Sequence, residues 1–247
     1  MAEINITFPD GAVKSFDNGS TTEDIAKSIS ISLAKKAVAG KFNGELVDYQ
    51  APLTEDGKIE IVTKDAPEGL TVLRHTASQV LANALHQLYP EMHFGQGEAS
   101  DDGFSFDTDN ADHQVSSDDL TAVEAKMKEI VKANLPISRE VLAEADALKL
   151  VDGDPYQTQL VKQAAAANDG DVAVYRQGDF VDLSDGVQLS STGDVKIFKL
   201  LSVAGAYWEG KSSNPMLQRV YGTAFFNQKD MDADDVRRQE ARERDHR

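Results

Sequence analysis

The 247-residue sequence contains no cysteine. That excludes disulfides, zinc sites built on thiolates and a cysteine nucleophile, and it is the usage expected of a cytoplasmic protein. Basic residues are also scarce: 25 Lys and Arg stand against 42 Asp and Glu, a formal net charge of −17. A free-standing nucleic-acid binder draws its non-specific affinity from neutralised phosphates and is usually basic. This chain as a whole repels a polyanion, so any RNA contact has to be local or supported by another domain. The acid excess is read first as a source of solubility. No run approaches the ~18 apolar residues of a membrane span. The opening Met1-Ala2-Glu3-Ile4-Asn5 lacks the basic-then-apolar order of a signal peptide.

What is present is ordinary globular composition, 40% hydrophobic and 27% charged, in a length that suits one or two domains. Residues 1–63 read as a compact unit. Ile4-Asn5-Ile6-Thr7-Phe8 alternates with the period of a half-buried strand. Asp10-Gly11 is a hairpin signal, and Val13 to Phe16 returns as a second strand. Thr21 or Thr22 can cap a short helix through Ile25, Ala26 and Ile29, with Glu23 and Asp24 suited to its first turn. Ala37 to Phe42 predicts a strand, Asn43-Gly44 a tight turn, and Lys58-Ile59-Glu60-Ile61-Val62 the last strand. The order ββαββ is that of a β-grasp module. The unit has no histidine, and its carboxylates fall at turns and strand edges, so it reads as a binding or docking module without catalytic groups. Asp65-Ala66-Pro67-Glu68-Gly69 marks a boundary.

Residues 69–89 carry the clearest helical pattern, with Leu70, Leu73, Ala77, Val80, Leu81, Ala84, Leu85 and Leu88 at helical spacing. His75 and Gln79 are four apart and share a face roughly 160° from the apolar stripe. His75 therefore faces either solvent or a cleft. His86 lies on the same side, three turns and about 16 Å further on, too far to share a metal with His75. His93 and His113 fall in polar stretches read as loops, and no histidine metal site is expected. Gly95-Gln96-Gly97 resembles a phosphate-binding glycine loop but follows a helix and precedes acids, which argues against a phosphate site. Asp107-Thr108-Asp109-Asn110-Ala111-Asp112 lacks the glycine and the closing glutamate of a calcium loop.

Ser117-Asp118-Asp119 predicts the cap of a helix bearing Leu120, Val123, Met127, Ile130 and Val131. Helices are expected near Ala143 to Leu150 and after Pro155. Strands are expected at Val172 to Tyr175, Phe180 to Leu183 and Val195 to Val203, which makes the second domain, residues 64–226, mixed α+β. Phe198 to Tyr221 sets Lys196, Lys199, Lys211 and Arg219 among aromatics, the pattern of either an RNA surface or a core flanked by lysines. Residues 227–247 are charged in both signs at helical spacing, the pattern of an exposed connecting helix. With no stop signal at Asp245-His246-Arg247, the chain is expected to be a truncation.

Several segments resemble those of one family. They are Arg74-His75-Thr76-Ala77-Ser78, Leu88-Tyr89-Pro90, Asp102-Gly103-Phe104, Phe180-Val181-Asp182-Leu183, Ser191-Thr192-Gly193, the run from Lys199 to Phe226, and Arg244-Asp245-His246-Arg247. Together they resemble the N-terminal half of bacterial threonyl-tRNA synthetase, and the first domain resembles that family's β-grasp (TGS) module more loosely. The resemblance implies a TGS module at 1–63, an editing-type domain at 64–226 and the start of a linker helix at 227–247. The aminoacylation core, with its ATP and zinc, would lie outside this chain, so no cofactor is expected here. The implied partner is the 3′ end of threonine tRNA, and the implied homodimer forms through absent domains.

The family's editing domain hydrolyses serine mistakenly joined to threonine tRNA, using two histidines four apart on a helix and a Cys-x-Gly-Pro-His segment. Here the resemblance places His75 and Gln79 at the two histidines, Ser184 at the cysteine and Gln188 at the last histidine. Ser184-Asp185-Gly186-Val187-Gln188 also lacks the proline, while Asp182 is kept. Gln157 stands for a family lysine and Ser105 for a family tyrosine. Glutamine can hydrogen-bond but cannot shuttle a proton near neutral pH. The pocket of His75, Asp182 and Ser184 thus reads as degenerate, with weak or no editing. A stand-alone deacylase acting on mischarged tRNA, or a non-catalytic tRNA- or partner-binding module, are the alternatives.

Overall fold

The computed structural model describes residues 2–109, 112–183 and 186–246. Ser184, Asp185 and the Asn110-Ala111 part of the acidic stretch lie outside the described residues. The chain begins with β1 (Glu3–Thr7), β2 (Val13–Asp17), α1 (Thr22–Ile29), α2 (Ile31–Lys36), β3 (Ala37–Phe42), β4 (Glu45–Asp48) and β5 (Gly57–Thr63). It continues through α3 (Pro67–Leu88), β6 (His93–Ala99), β7 (Phe104–Asp109), α4 (Leu120–Ala133), β8 (Ile137–Ala143), α5 (Glu144–Leu150) and α6 (Pro155–Ala167). The last elements are β9 (Asp171–Gln177), β10 (Phe180–Leu183), β11 (Ile197–Tyr207), β12 (Met216–Phe225) and α7 (Gln228–Asp245). The fold is α+β.

The first sheet has the order β2-β1-β5-β3-β4, with β1 and β5 parallel and the other pairs antiparallel. Ile4, Ile6, Ile25, Leu53 and Ile59 form its core under α1. Thr21 caps α1 in a reciprocal box with Asp24, satisfying helix-start N–H groups that would otherwise lack partners. Asn43 and Gly44 both take positive φ, 52° and 86°, the backbone a two-residue hairpin turn needs. That turn leads into β4, a strand the ββαββ reading leaves out, as it leaves out α2. β4 is short and sits at the sheet edge, so its pattern is weak.

The other strands form a sheet of order β11-β12-β7-β6 and a three-stranded sheet of order β10-β9-β8. α3 runs between them. Pro67 sits in its first turn, where the missing N–H costs nothing. Leu73, Leu81 and Leu85 are fully buried, each contributing about 1.5–3 kcal/mol of transfer free energy. The core they build includes Phe104, Phe106, Val123, Met127 and Val220, and also Val38, Ala39 and Val62 of the first sheet. β6, β7, β8 and β12 were not expected. His93 opens β6 rather than lying in a loop, and the acidic Asp107 and Asp109 belong to β7. Charge density hid the strand pattern in both.

α7 is mostly exposed but is docked. Met231 and Asp234 are buried, and Asp234 pairs with Arg237 and, at 2.6 Å, with Arg238. Arg238 also donates to the Asp102 carbonyl at 2.6 Å. Of the four cations on and around β11 and β12, Arg219 lies bidentate on Asp107 at 2.7 and 3.0 Å. Lys199 pairs with Asp235 at 3.2 Å and Lys211 with Glu209 at 3.9 Å. Phe198 and Trp208 are buried and Tyr207 is exposed.

Candidate functional site

The face of α3 opposite the apolar stripe looks into a cleft, not solvent: His75 is 7% and Gln79 1% exposed. Both line a cavity of about 280 Å³ closed by Gln96 and Gly97 of β6, by Leu160, Gln163, Ala164 and Ala167 of α6, and by Leu183. On the other side of His75 a second cavity of about 450 Å³ is bounded by Gln96, Gly97, Gly186, Val187 and, from the first sheet, Leu46. His75 stands between the two.

Close backbone approach makes this arrangement possible. A Cβ on Gly97 would lie 2.8 Å from Ser78 Oγ and 3.0 Å from Gln79 Nε2, so only glycine lets β6 pass this close to α3. The strand is irregular between Phe94 and Gly97, as strands often are beside functional sites. Gln96 sits in that irregularity and borders both cavities. It was missed in the sequence, although the flanking glycines, which serve close packing of β6, were the available signal. Gln157 carries no cation into the cavity: its amide donates to the Phe94 and Gly95 carbonyls at 3.0 and 2.7 Å. Asp154 caps α6, accepting from the Tyr156 and Gln157 N–H groups, and takes the Phe94 N–H at 2.7 Å. Burial pushes its carboxyl above the usual range, against those bonds and the nearby His93. Ser105 alternates with Phe104 and Phe106, which pack on α3, so it points to the opposite sheet face with Asp107.

A polar layer extends from the cavity between α3 and the three-stranded sheet. His75, Gln79 and Asn83 follow one another at four-residue spacing on α3. By register, Tyr175, Gln177, Phe180 and Asp182 share one sheet face. Asn83 Nδ2 donates to Gln177 Oε1 at 3.2 Å, which sets that face against the helix. Asp182 and Gln188 are both buried; neither lines the two cavities described. Gln79 Oε1, Gln177 Nε2 and both amide atoms of Gln188 are fully buried with no hydrogen-bond partner among the described residues. Buried amides of this kind are demanding hydrogen-bonding groups. Among the named residues only His75 and Asp182 can change charge in the ordinary pH range.

Arg74, next to His75 but turned the other way, anchors the helix. It is buried and donates to the carbonyls of Ala224 (3.2 Å), Ser100 (3.2 Å) and Asp101 (2.8 Å). Burial lowers its pKa, opposed by Asp234 and Asp102. Three other histidines make ring contacts, His93 with Tyr156. His86 packs on Phe94 and Phe180, and His113 stacks on Tyr89 and reaches Asp119 at 3.1 Å. Among the described residues no three of His, Asp and Glu gather where they could hold a metal.

Two features define the class: a small β-grasp sheet, and an α+β domain whose buried helix face borders a polar cavity. The family model described as TGS domain matches residues 4–63, and that described as threonyl and alanyl tRNA synthetase second additional domain matches residues 172–221. The whole chain is 68% identical to a threonine–tRNA ligase of Lactiplantibacillus plantarum and 64% identical to that of Ligilactobacillus salivarius. Over 99% of its length it is 55% identical to the threonine–tRNA ligase of Enterococcus faecalis. It spans 38% of the length of each of these relatives. Along its whole length the chain matches the N-terminal, TGS-plus-editing part of threonine–tRNA ligases.

Proposed function

We propose that residues 1–63 form a TGS module, 64–226 an editing-type domain and 227–247 the start of a linker helix within a cytoplasmic threonine–tRNA ligase. The pocket of this chain receives the aminoacylated 3′ end of threonine tRNA but hydrolyses the serine ester weakly or not at all. ATP, zinc and the homodimer contact belong to parts of the ligase outside this chain.

The need for such a pocket is physical. Serine lacks one methyl group of threonine, and a missing methylene gives a binding site only ~1–3 kcal/mol of discrimination. A second site that cleaves the wrong ester corrects the remainder. In that reaction a water gives up a proton as its oxygen adds to the ester carbonyl carbon, the bond from that carbon to the ribose oxygen breaks, and the ribose oxygen takes up a proton. Both proton movements want groups that titrate near neutral pH.

The observation that carries the proposal is the content of the polar layer. His75 borders the cavity, and the next residue on its face is Gln79. Gln188 supplies another amide, and Ser184, a much weaker acid than cysteine, stands at the position the resemblance gives to a cysteine. Amides can orient a water or an ester carbonyl, but they move no protons. Asp182, beside this layer, is proposed to orient its polar neighbours. Binding is therefore expected to outlast turnover.

The test is hydrolysis of seryl-tRNA(Thr) by chain 1–247 beside the triple variant Gln79→His, Ser184→Cys, Gln188→His. General acid–base groups contribute typically 10²–10⁴-fold, so the variant is expected to be at least ~100-fold faster. A native chain as fast as the variant would refute the degenerate pocket. An inert pair that also fails to retain the tRNA would refute the docking.

A further inference from the structure

Asp48 ends β4 of the first sheet, a place where a carboxylate ordinarily meets water. Here it is 6% exposed. Its Oδ2 accepts the Tyr175 hydroxyl of β9 at 2.6 Å and the Gln188 backbone N–H at 3.4 Å. Its Oδ1 accepts the Gln50 N–H at 2.9 Å, and the Gln50 side chain donates to the Ile137 carbonyl at 3.2 Å. One carboxylate of the TGS sheet thus grips both a strand and a loop of the editing-type domain.

That loop bears on His75. Residues 186–189 form neither helix nor strand, so discrete bonds set their place. The Leu189 N–H donates to Thr76 Oγ1 at 2.9 Å, and Thr76 adjoins His75 on α3. Gly186 lies so close to the imidazole that a Cβ there would fall 2.5, 2.6 and 2.7 Å from Cε1, Nε2 and Nδ1. Three similar distances to ring atoms place Gly186 over the face of the ring. Leu46, two residues before Asp48, borders the same cavity as His75, Gly186 and Val187.

We propose that Asp48 is a positioning residue for the pocket: it holds loop 186–189 so that Gly186 lies on the His75 ring, and the TGS sheet thereby completes a site it does not itself contain. The role rests on the reading of His75 as the pocket's working imidazole. Hydrogen bonds to an ionised group are about twice as strong as neutral ones, and losing the acceptor leaves the Tyr175 hydroxyl and the Gln188 N–H buried without it. Burial, then Asp48 itself, raises the Tyr175 phenol far above its ordinary value, which keeps it the donor of this bond.

The experiment reads His75 directly and not turnover, so it can fail independently of the proposed function. Chain 1–247 is labelled with ¹⁵N-histidine, and its imidazole signals are recorded at one pH, with His75→Asn assigning the His75 pair. Asp48→Ala is expected to move the His75 signals by more than a linewidth while those of His93 and His113 stay in place. Ile25→Ala, a cavity in the TGS core, lowers the Tm without moving them. Unmoved His75 signals in a folded Asp48→Ala chain overturn the proposal and leave Asp48 a fastening between domains. So do His75 signals that move equally in Ile25→Ala. Where Asp48→Ala does not fold, Asp48→Asn, which replaces one accepting oxygen by a donor, decides by the same rule.

Discussion

Gly186 lies against the imidazole of His75, with no room between them for a methyl group. Its neighbours hold it there from two sides, Gln188 through Asp48 and Leu189 through Thr76. Gly186→Ala therefore has to displace either the ring or the loop. Inserting one carbon into a closed contact costs typically 1–3 kcal/mol. A fall of that size in urea-unfolding stability is expected, together with a changed His75 NMR signal. Full stability with an unchanged signal would mean that the contact is loose in solution.

Arg74 fixes the helix that carries His75. Its guanidinium satisfies three backbone carbonyls and lies 4.9 Å over the Phe225 ring. Arg74→Met keeps much of the stem but abandons all three acceptors. A loss of about 3 kcal/mol is expected, read as a lower urea midpoint at unchanged slope. Arg74→Lys, with one compact ammonium in place of the planar fork, should recover only part of it. Complete rescue by lysine would show that charge alone matters.

Asp154 offers a pH test. Its folded pKa is raised, burial first, so the native state keeps the proton to higher pH than the unfolded chain, whose carboxyl titrates near 3.9. The stability linked to that proton is complete below about 3.9 and is lost as pH rises through the folded value. The stability of the parent minus that of Asp154→Asn should fall as pH rises from about 3.5, then level off. A difference that grows with pH would reverse the assigned shift. At neutral pH Asp154→Ala should cost about 2 kcal/mol, the sum of a lost helix cap and an unmet Phe94 N–H.

Gln157, at the position the resemblance gives to a lysine, fastens α6 to β6 by donating to two of its carbonyls. Gln157→Leu is expected to destabilise the chain by about 2 kcal/mol by leaving those carbonyls unmet. Differential scanning calorimetry would register it as a lower Tm. An unaffected Tm would mean that water replaces the amide without cost.

Local pattern alone was enough for much of this protein. The periodicity of Leu73 to Leu88, the cap at Thr21, and the turns at Asp10-Gly11 and Asn43-Gly44 are short-range signals, and helices and hairpins are short-range objects. The same patterns located α4, α5, α6, β9 and β10. Charge obscured β6, β7 and β8, whose acids and glycines look like loop sequence until a neighbouring strand supplies their hydrogen bonds. The residue types of the pocket, one histidine among amides, were also legible. Their setting was not. Helical spacing put His75 and Gln79 on one face but could not say that β6, α6 and loop 186–189 bury it. Nor could it say that Asp48, 27 residues before His75 and 140 before Gln188, would reach the pocket loop. Such contacts depend on how three sheets pack about α3, and no sequence window contains them.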